Sequence, residues 1–367
     1  MSQPLSESAT TPRDRRRVLQ ALIGLLLGMF VSMLASTVVS TSLPVIIHDL
    51  GGDQAAYTWV VTATLLTTAI STPIWGKLAD LFDRKMLIQI AITIFVLSTA
   101  AAGFSQDTTM LIACRAVQGI GAGGLAALSQ VIMADIISPR ERGRYMGLFG
   151  AVMAVATVGG PLLGGVVTDT LNWRWNFFIA LPFAVAALII QQRTLHLPTR
   201  PKKRVRIDYV GIVLLSTAVS LLLIWVTNAG TSYDWWSTET ILMVGGAVVA
   251  GVLFVVVELR STEPLVPLTL FRNRTFTLAV IASIATGIAM FGTSVFLSQY
   301  MQMARGATPT EAGVMTIPMI AGLLLASVVV GALITRHGHW KPYLIAGAVL
   351  LIAGSYTLST IHYDTNF

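Results

Sequence analysis

Residues 77–104 read KLADLFDRKMLIQIAITIFVLSTAAAGF, a short basic turn followed by an apolar run from Met86 to Phe104. An apolar stretch of about 20 residues is long enough to cross the hydrocarbon layer of a membrane as a helix. Ten further runs of this kind follow or precede it: Val18–Leu43, Thr58–Leu78, Met110–Ile137, Tyr145–Val167, Asn176–Ile190, Val210–Thr227, Ile241–Val257, Leu278–Tyr300, Ala312–Ile334 and Tyr343–Ile361. The pattern predicts an all-α, polytopic membrane protein with about eleven transmembrane helices.

The basic residues are concentrated in alternate gaps between these runs. The odd gaps, with the N-terminal tail as the first, hold 21 of the 24 Lys and Arg residues, whereas the even gaps hold only Arg174 and Arg305. Because Lys and Arg accumulate on the cytoplasmic side of membrane proteins, the N-terminus is predicted to be cytoplasmic, in a multi-pass protein of the plasma membrane.

The composition excludes several other classes of protein. Only 11% of the residues are charged and the mean hydropathy is +0.75, whereas soluble globular proteins carry about 25% charged residues. The net charge of +7 lies in short loops that would face anionic headgroups, so membrane lipids are the expected partners and nucleic acid is not. The single cysteine allows no internal disulfide and no multi-cysteine metal site. We therefore expect neither a cofactor nor a bound metal.

The polar breaks divide the chain into five segments. Residues 1–17 form a predicted cytoplasmic tail, 18–190 a six-helix N-terminal bundle and 191–209 a cytoplasmic linker. A weak echo of the second span in the tenth suggests parallel repeats, as in transporters built from two related halves. On this reading, 210–275 is an inserted helix pair with its loop, and 276–367 provides the first three helices of a second bundle. Three further helices are expected beyond Phe367.

The turn between the second and third spans has the pattern Gly76-x-x-x-Asp80-x-x-x-Arg84-Lys85. Gly76 would allow close helix approach, Asp80 would cap a neighbouring helix, and Arg84 would pair with Asp135 near the end of the fourth span. Such a cluster would lock two helices together in one conformation and release them in another. Taken alone, the turn is better interpreted as a solvated positive-inside loop, and Asp135 in the fourth span is what favours the cluster.

Two more polar or small-residue features lie inside the spans. Arg115 is costly at membrane depth and marks function by default, but it lies near the outer end and snorkelling is the alternative. Gln118, one turn further on, favours an inward polar stripe instead. In the fifth span, Gly160 and Gly164 permit close helix contact, and Pro161, followed by Gly165, bends the helix.

These motifs, in this order, resemble those of the major facilitator superfamily. Its signatures are similar to Gly76–Lys85, to Arg115–Gly121 and to Gly159–Gly165, the last typical of proton-coupled antiporters. Trp173–Phe178 and the inserted pair resemble the fourteen-helix drug:proton antiporters, also called EmrB/QacA-like. The resemblance implies the major facilitator fold, proton coupling through Arg115 and Gln118, and a gate-sealing contact at Gly160, Pro161, Gly164 and Gly165.

One position departs from the family pattern. The family commonly has an acid in the first span, where this chain has Ala35 before Ser36 and Thr37. The departure weakens the case for cation export, and it leaves the position of the proton carrier in the chain open. Candidate substrate-lining residues are the hydroxyl and amide side chains of the first, second and ninth spans: Ser36, Thr37, Thr41, Thr64, Ser298, Tyr300 and Gln302. Threonine in a helix usually bonds its own backbone, so packing is the alternative for most of them.

The sequence thus predicts a secondary active transporter that exports small amphipathic or lipophilic compounds in exchange for protons, which confers multidrug efflux and drug resistance. A second reading is export of a lipid or another endogenous apolar metabolite. A membrane receptor or integral enzyme is less favoured, because no cluster of Asp, His, Ser or Lys lies at one membrane depth.

Overall fold

The computed structural model describes residues 12–137, 142–195, 208–230, 232–261, 263–303 and 317–361. Regular structure in these ranges is helical, apart from one isolated bridge between Ala229 and Tyr233. A 3₁₀ turn spans Leu268–Arg272, and the α-helices are α1 Pro12–Asp49, α2 Gln54–Leu81, α3 Arg84–Gly103, α4 Thr108–Ile136, α5 Arg142–Thr170, α6 Trp175–Phe178, α7 Ala180–Thr194, α8 Tyr209–Asn228, α9 Thr238–Arg260, α10 Arg274–Met303, α11 Ile317–His337 and α12 Lys341–Ser359.

Ten of the eleven predicted apolar runs each overlap one long helix in the described residues, the sixth overlaps two helices, and the all-α class is confirmed. Two of these helices differ in extent or continuity from the predicted runs, while the predicted segment boundaries stay a prediction. α1 begins at Pro12, inside the predicted tail, because the arginines that follow are good helix formers and continue the helix beyond the apolar run. The sixth run divides at Ile179 into the short α6 and the longer α7, which continues to Thr194.

Eight helical segments in the described residues are long and apolar enough to cross a membrane, by length and composition. α5 and α10 contain shorter apolar segments, Gly147–Thr157 and Arg274–Ala289. The second predicted span, α2, is absent from this set and is rich in Thr and Ser. The predicted number of crossings therefore stays a prediction.

Acidic and hydroxyl side chains begin several of these helices. Asp53, Asp83 and Asp107 precede α2, α3 and α4, and each accepts a hydrogen bond from a backbone N–H in the first turn. Asp208 and Ser237 do the same for α8 and α9. A side-chain oxygen at this position satisfies a donor that has no partner within the helix.

α4 lies between α2 and α3, and its glycines explain how closely they pack. A Cβ added to Gly121 would lie 2.7 Å from the carbonyl oxygen of Ala91 and from the amide nitrogen of Phe95 on α3. On the α2 side, a Cβ on Gly123 would lie 2.8 Å from the carbonyl oxygen of Thr68. In lipid, where hydrophobic burial gives little drive, such small residues let helices gain close contact.

α1, α3, α4 and α7 contribute to one apolar cluster. Leu25 of α1, Ile88 and Phe95 of α3, Leu128 of α4 and Ala184 of α7 are each no more than 1% exposed and belong to the same cluster. α1 also packs along α5. α8 and α9, the predicted inserted pair, pack together and contact α2 through α8, while α11 packs against α5.

We expect Gly121→Ala to destabilise the protein, because its Cβ would meet backbone atoms of α3 that cannot rotate away. Overpacking of this kind costs about 1–3 kcal/mol. The midpoint of thermal unfolding in detergent measures the effect. Gly245→Ala in α9 is the control, because its Cβ would meet no described atom within 4 Å. Equal midpoints for the two variants would contradict the packing argument.

Candidate functional site

Arg84, the first residue of α3, joins three parts of the bundle at one end. Its side chain is 9% exposed, and its Nη1 donates to the Asp135 carboxylate of α4. Nε donates to the carbonyl oxygen of Ala79 at 2.9 Å, and Nη2 lies 3.6 Å from an Asp80 oxygen. The predicted partner of Arg84 is therefore in place. The geometry ties α2, α3 and α4 together through one guanidinium group.

Two details of the predicted turn are wrong. Asp83 caps α3, accepting from the amide of Met86 at 2.9 Å, whereas Asp80 is 67% exposed and faces Arg84 from the preceding turn. The cap falls on Asp83 because the chain leaves α2 at Phe82 and only the next residue precedes the helix. A Cβ on Gly76 would meet no described atom within 4 Å, so no close helix approach occurs there in the described residues.

The neighbouring lysines extend this cluster to other elements. Lys85 Nζ donates to the carbonyl oxygen of Gln192 in α7 at 2.7 Å. Lys77 Nζ lies 3.1 Å from a carboxylate oxygen of Glu263 and donates to the carbonyl oxygen of Pro264 at the same distance. The basic turn thus contacts both the end of α7 and the loop after α9.

That loop is also held by an acid that the sequence reasoning missed. Glu258, near the end of α9, is 3% exposed. Its two oxygens accept hydrogen bonds from the amides of Leu265 at 3.1 Å and Val266 at 3.2 Å. An apolar stretch broken by one acid just before a Pro-containing loop is the only sequence signal of this role.

Arg115 lies inside the bundle and not at its lipid-facing surface. It is 3% exposed, and its Nη1 donates to Gln118 Oε1 at 2.7 Å. The Gln118 amide in turn donates to Thr99 Oγ1 of α3 at 2.7 Å, and the Thr99 hydroxyl donates to the carbonyl oxygen of Phe95 at 2.6 Å. The snorkelling alternative is wrong, and the predicted inward polar stripe forms a chain of hydrogen bonds.

Arg115 Nε is buried with no hydrogen-bond partner among the described residues. At the first-span position where the family commonly has an acid, this chain has Ala35, which is 1% exposed. A buried cation is costly unless it is paired. Among the described residues, Arg115 is therefore a buried cation whose side-chain partner is an amide and not a carboxylate.

α5 crosses α1 at the glycines of the predicted antiporter motif. A Cβ on Gly160 would collide with the Thr37 side chain, and one on Gly164 would lie 2.7 Å from the carbonyl oxygen of Val38. Gly165 has no described atom within 4 Å of an added Cβ, so it does not share this contact. The side chain of Pro161 lies outside the described residues.

The predicted substrate-lining residues fall into three groups. Thr37 and Thr64 are in helix seams: Thr37 Oγ1 donates to the carbonyl oxygen of Ala156 at 3.1 Å, and Thr64 Oγ1 to that of Arg115 at 3.2 Å. Ser36 and Tyr300 are half-buried. The side chains of Thr41, Ser298 and Gln302 lie outside the described residues. Contact of any of them with a substrate stays a prediction.

A second polar cluster, absent from the predicted sites, closes the opposite end of the bundle. Asn176 is fully buried and donates to the hydroxyls of Ser42 and Thr168, each at 2.7 Å. Nearby, Trp173 Nε1 donates to an Asp49 carboxylate oxygen at 2.7 Å. These partners come from α1, α5 and α6, so the cluster joins their ends.

An open apolar cavity of about 350 Å³ lies at the surface between α1 and α5, where Ile23 and Val155 are more than half exposed. Its walls are aliphatic and aromatic side chains: Ile23, Leu26, Leu27, Phe30, Ala151, Val152 and Val155. A cavity of this size and lining fits a small apolar molecule or part of a larger one.

We expect Asp135→Ala to lower stability by about 3 kcal/mol, because it leaves the buried Arg84 guanidinium without its main counter-ion. Asp80→Ala is the matched control, since removing an exposed partner costs at most about 1 kcal/mol. Thermal unfolding in detergent compares the two. The double exchange Arg84→Asp with Asp135→Arg should recover part of the loss. Equal loss for the two single variants would contradict the assigned ion pair.

The chain matches the Major Facilitator Superfamily over residues 25–366. It is 38% identical to the MFS-type transporter Rv1877 of Mycobacterium tuberculosis (strain ATCC 25618 / H37Rv), over 84% of this chain and 45% of that protein. It is 35% identical to the multidrug transporter protein MdtP of Bacillus subtilis (strain 168), over 89% of this chain and 60% of that protein. The chain therefore spans about half the length of these curated relatives.

The fold agrees with this similarity. The crystal structure of the human organic anion transporter MFSD10 superposes on this chain with a TM-score of 0.56 at 17% identity. The aligned part covers 88% of this chain and 73% of that transporter. The family and the apolar helices together identify a multi-pass membrane protein. The chain belongs to the Major Facilitator Superfamily.

Proposed function

We propose that this transporter exports small amphipathic compounds in exchange for protons, by alternating access across the plasma membrane. The observation that carries the proposal is the similarity, over 89% of this chain, to a relative named as a multidrug transporter. We also propose a cytoplasmic N-terminus and the fourteen-helix EmrB/QacA-like architecture. In that architecture, residues 18–190 form the first bundle, 210–275 the inserted pair with its loop, and 276–367 part of the second bundle.

The contact between α5 and α11 supports movement of one half against the other. A Cβ on Gly147 would lie 2.5 Å from the carbonyl oxygen of Ser327, and one on Gly150 would lie 2.7 Å from the Ser327 hydroxyl. α5 belongs to the first bundle and α11 to the proposed second one. A seam of small residues lets two bundles lie close together while few side chains interlock.

The charged end of the bundle supports a switch between conformations. Arg84 and Asp135 join α3 to α4 while Lys77 contacts Glu263, beyond the inserted pair. An interaction that is stronger in one conformation shifts the equilibrium towards it. We propose that these pairs stabilise one of the two alternating states.

Arg115 supports proton coupling. Because its guanidinium is buried and its described partners are neutral, a proton or a charged substrate arriving nearby would change its energy strongly. Gln118 and Thr99 hold the group in one position. We propose that this chain of hydrogen bonds senses the protonation state of a carrier elsewhere in the protein.

Export of a lipid or other endogenous apolar metabolite is the second candidate. Two observations favour it: the residue in place of the family's first-span acid is Ala35, and the cavity between α1 and α5 is lined by apolar side chains. Neither feature attracts an organic cation. Both suit a neutral, lipophilic molecule.

In reconstituted vesicles, an imposed proton gradient should drive export of a lipophilic dye, and Arg115→Gln should reduce that export at least about tenfold. Exchange of dye against dye, which needs no net proton movement, should be affected less. Arg115→Lys keeps the charge and should retain more of the coupled rate. Arg260→Gln, which removes an exposed cation in the last turn of α9, is the control. Dye movement that ignores the gradient would refute the proton-coupled version.

The two substrate classes are separable in cells that lack the gene. Loss of multidrug efflux predicts greater sensitivity to lipophilic drugs with an unchanged lipid profile. Loss of a metabolite exporter predicts the reverse, with an apolar compound retained in the cells. Mass spectrometry of cell extracts beside drug-sensitivity tests measures both. Val155→Trp, which fills the cavity between α1 and α5, should reproduce whichever defect is found.

A further inference from the structure

The lipid-facing side of the first bundle carries a cleft between α3 and α7 that the transport proposal does not use. Its volume is about 470 Å³. Six side chains line it: Gln89, Thr93, Leu188, Ile189, Gln192 and Arg193. These lining residues include one cation and no carboxylate.

The lining changes from polar to apolar with depth. Arg193 and Gln192 lie in the last turn of α7, and Gln89 lies five residues after the start of α3, or about 7.5 Å along the helix. One turn further towards the middle of the membrane come Thr93 and Ile189. The cleft therefore presents a charged and hydrogen-bonding mouth above an apolar wall.

Contacts between α3 and α7 hold the polar end of the cleft in place. The Gln89 amide donates to the Gln192 side-chain oxygen, and Lys85 Nζ donates to the Gln192 carbonyl oxygen at 2.7 Å. Lys85 thus adds a second positive charge beside Arg193. The adjacent Gln191 is fully buried and donates to the carbonyl oxygen of Gly24, which anchors this end of α7 to α1.

Exposed apolar side chains continue the cleft along the membrane. Leu97 is one turn beyond Thr93 on α3 and is 64% exposed, while Val185 is one turn before Ile189 on α7 and is 43% exposed. Residues four apart share a face of a helix. The line from Arg193 to Leu97 therefore follows the order of a phospholipid, from headgroup to acyl chain.

We propose that the α3–α7 cleft is a binding site for an anionic phospholipid. Arg193 and Lys85 attract the phosphate, Gln89 and Gln192 donate to its oxygens, and the exposed side chains of Leu97, Val185 and Ile189 contact an acyl chain. Basic pockets between transmembrane helices bind anionic headgroups in this way. The charge complementarity selects an anionic lipid over a zwitterionic one.

The bound lipid also bears on the charged end of the bundle. Lys85 follows Arg84 directly, and Arg84 pairs with Asp135. A headgroup beside Lys85 would hold the start of α3 against α7. The site itself does not depend on the transport proposal, because its test measures lipid retention and no substrate.

The test is native mass spectrometry of the protein purified in mild detergent, titrated with phosphatidylglycerol or phosphatidylcholine of the same acyl chains. The unaltered protein should retain phosphatidylglycerol preferentially. Arg193→Gln should weaken that retention about fivefold, the effect of one basic residue near an anionic surface. Arg260→Gln, an exposed cation in the last turn of α9, is the matched control and should behave as the unaltered protein does.

A second variant and a competitor separate the remaining outcomes. Thr93→Trp fills the cleft without changing charge and should displace the lipid even if Arg193→Gln folds poorly. Excess inorganic phosphate should leave phosphatidylglycerol bound. Equal retention of the two lipids, retention unchanged by both cleft variants, or displacement by inorganic phosphate would each overturn the proposal.

Discussion

The close approach of α2 and α3 to opposite sides of α4 is the contact on which the rest of the first bundle depends. In a lipid solvent, helices gain stability from contact between their surfaces and from hydrogen bonds across them. Gly121 opens one side of α4 to α3, and Gly123 opens another to α2. The exposed carbonyl groups then become acceptors, and Trp75 Nε1 donates to that of Ile120 at 2.9 Å. The same short distances bring Thr99 within reach of Gln118.

The buried polar groups follow from that geometry. A guanidinium group in a membrane helix is tolerated where it faces protein and finds partners. Arg115 finds an amide that is itself held by a hydroxyl on the facing helix, and it keeps one donor unsatisfied among the described residues. A site of this kind combines rigid placement with an incomplete set of hydrogen bonds. That combination suits a group that responds to charge, which is why the proton-coupling proposal centres on it.

Local patterns predicted much of the fold and part of the candidate site. Helix positions follow from uninterrupted apolar runs, and the pairing of Arg84 with Asp135 follows from both residues lying at the same membrane level. The glycines of α5 predicted the contact with α1. These inferences succeed because membrane topology fixes depth, and depth limits the available partners.

The remaining features depend on information that one sequence does not display. Whether Asp80 or Asp83 caps α3 depends on the residue at which α2 ends, and the two alternatives differ by only about one helical turn. The partner of Lys77 lies 186 residues away, and the role of Glu258 requires knowing how its loop folds back. Thr99 looks like an ordinary helix threonine until α4 is placed beside it.

The loop after the inserted pair has a mechanical consequence. Glu258 binds the amides of Leu265 and Val266, while Lys77 binds Glu263 and Pro264. These contacts join the end of α9 and the loop that follows it to α2. If α10 moved relative to α2, the backbone change would fall on the residues after Val266, which include the 3₁₀ turn Leu268–Arg272.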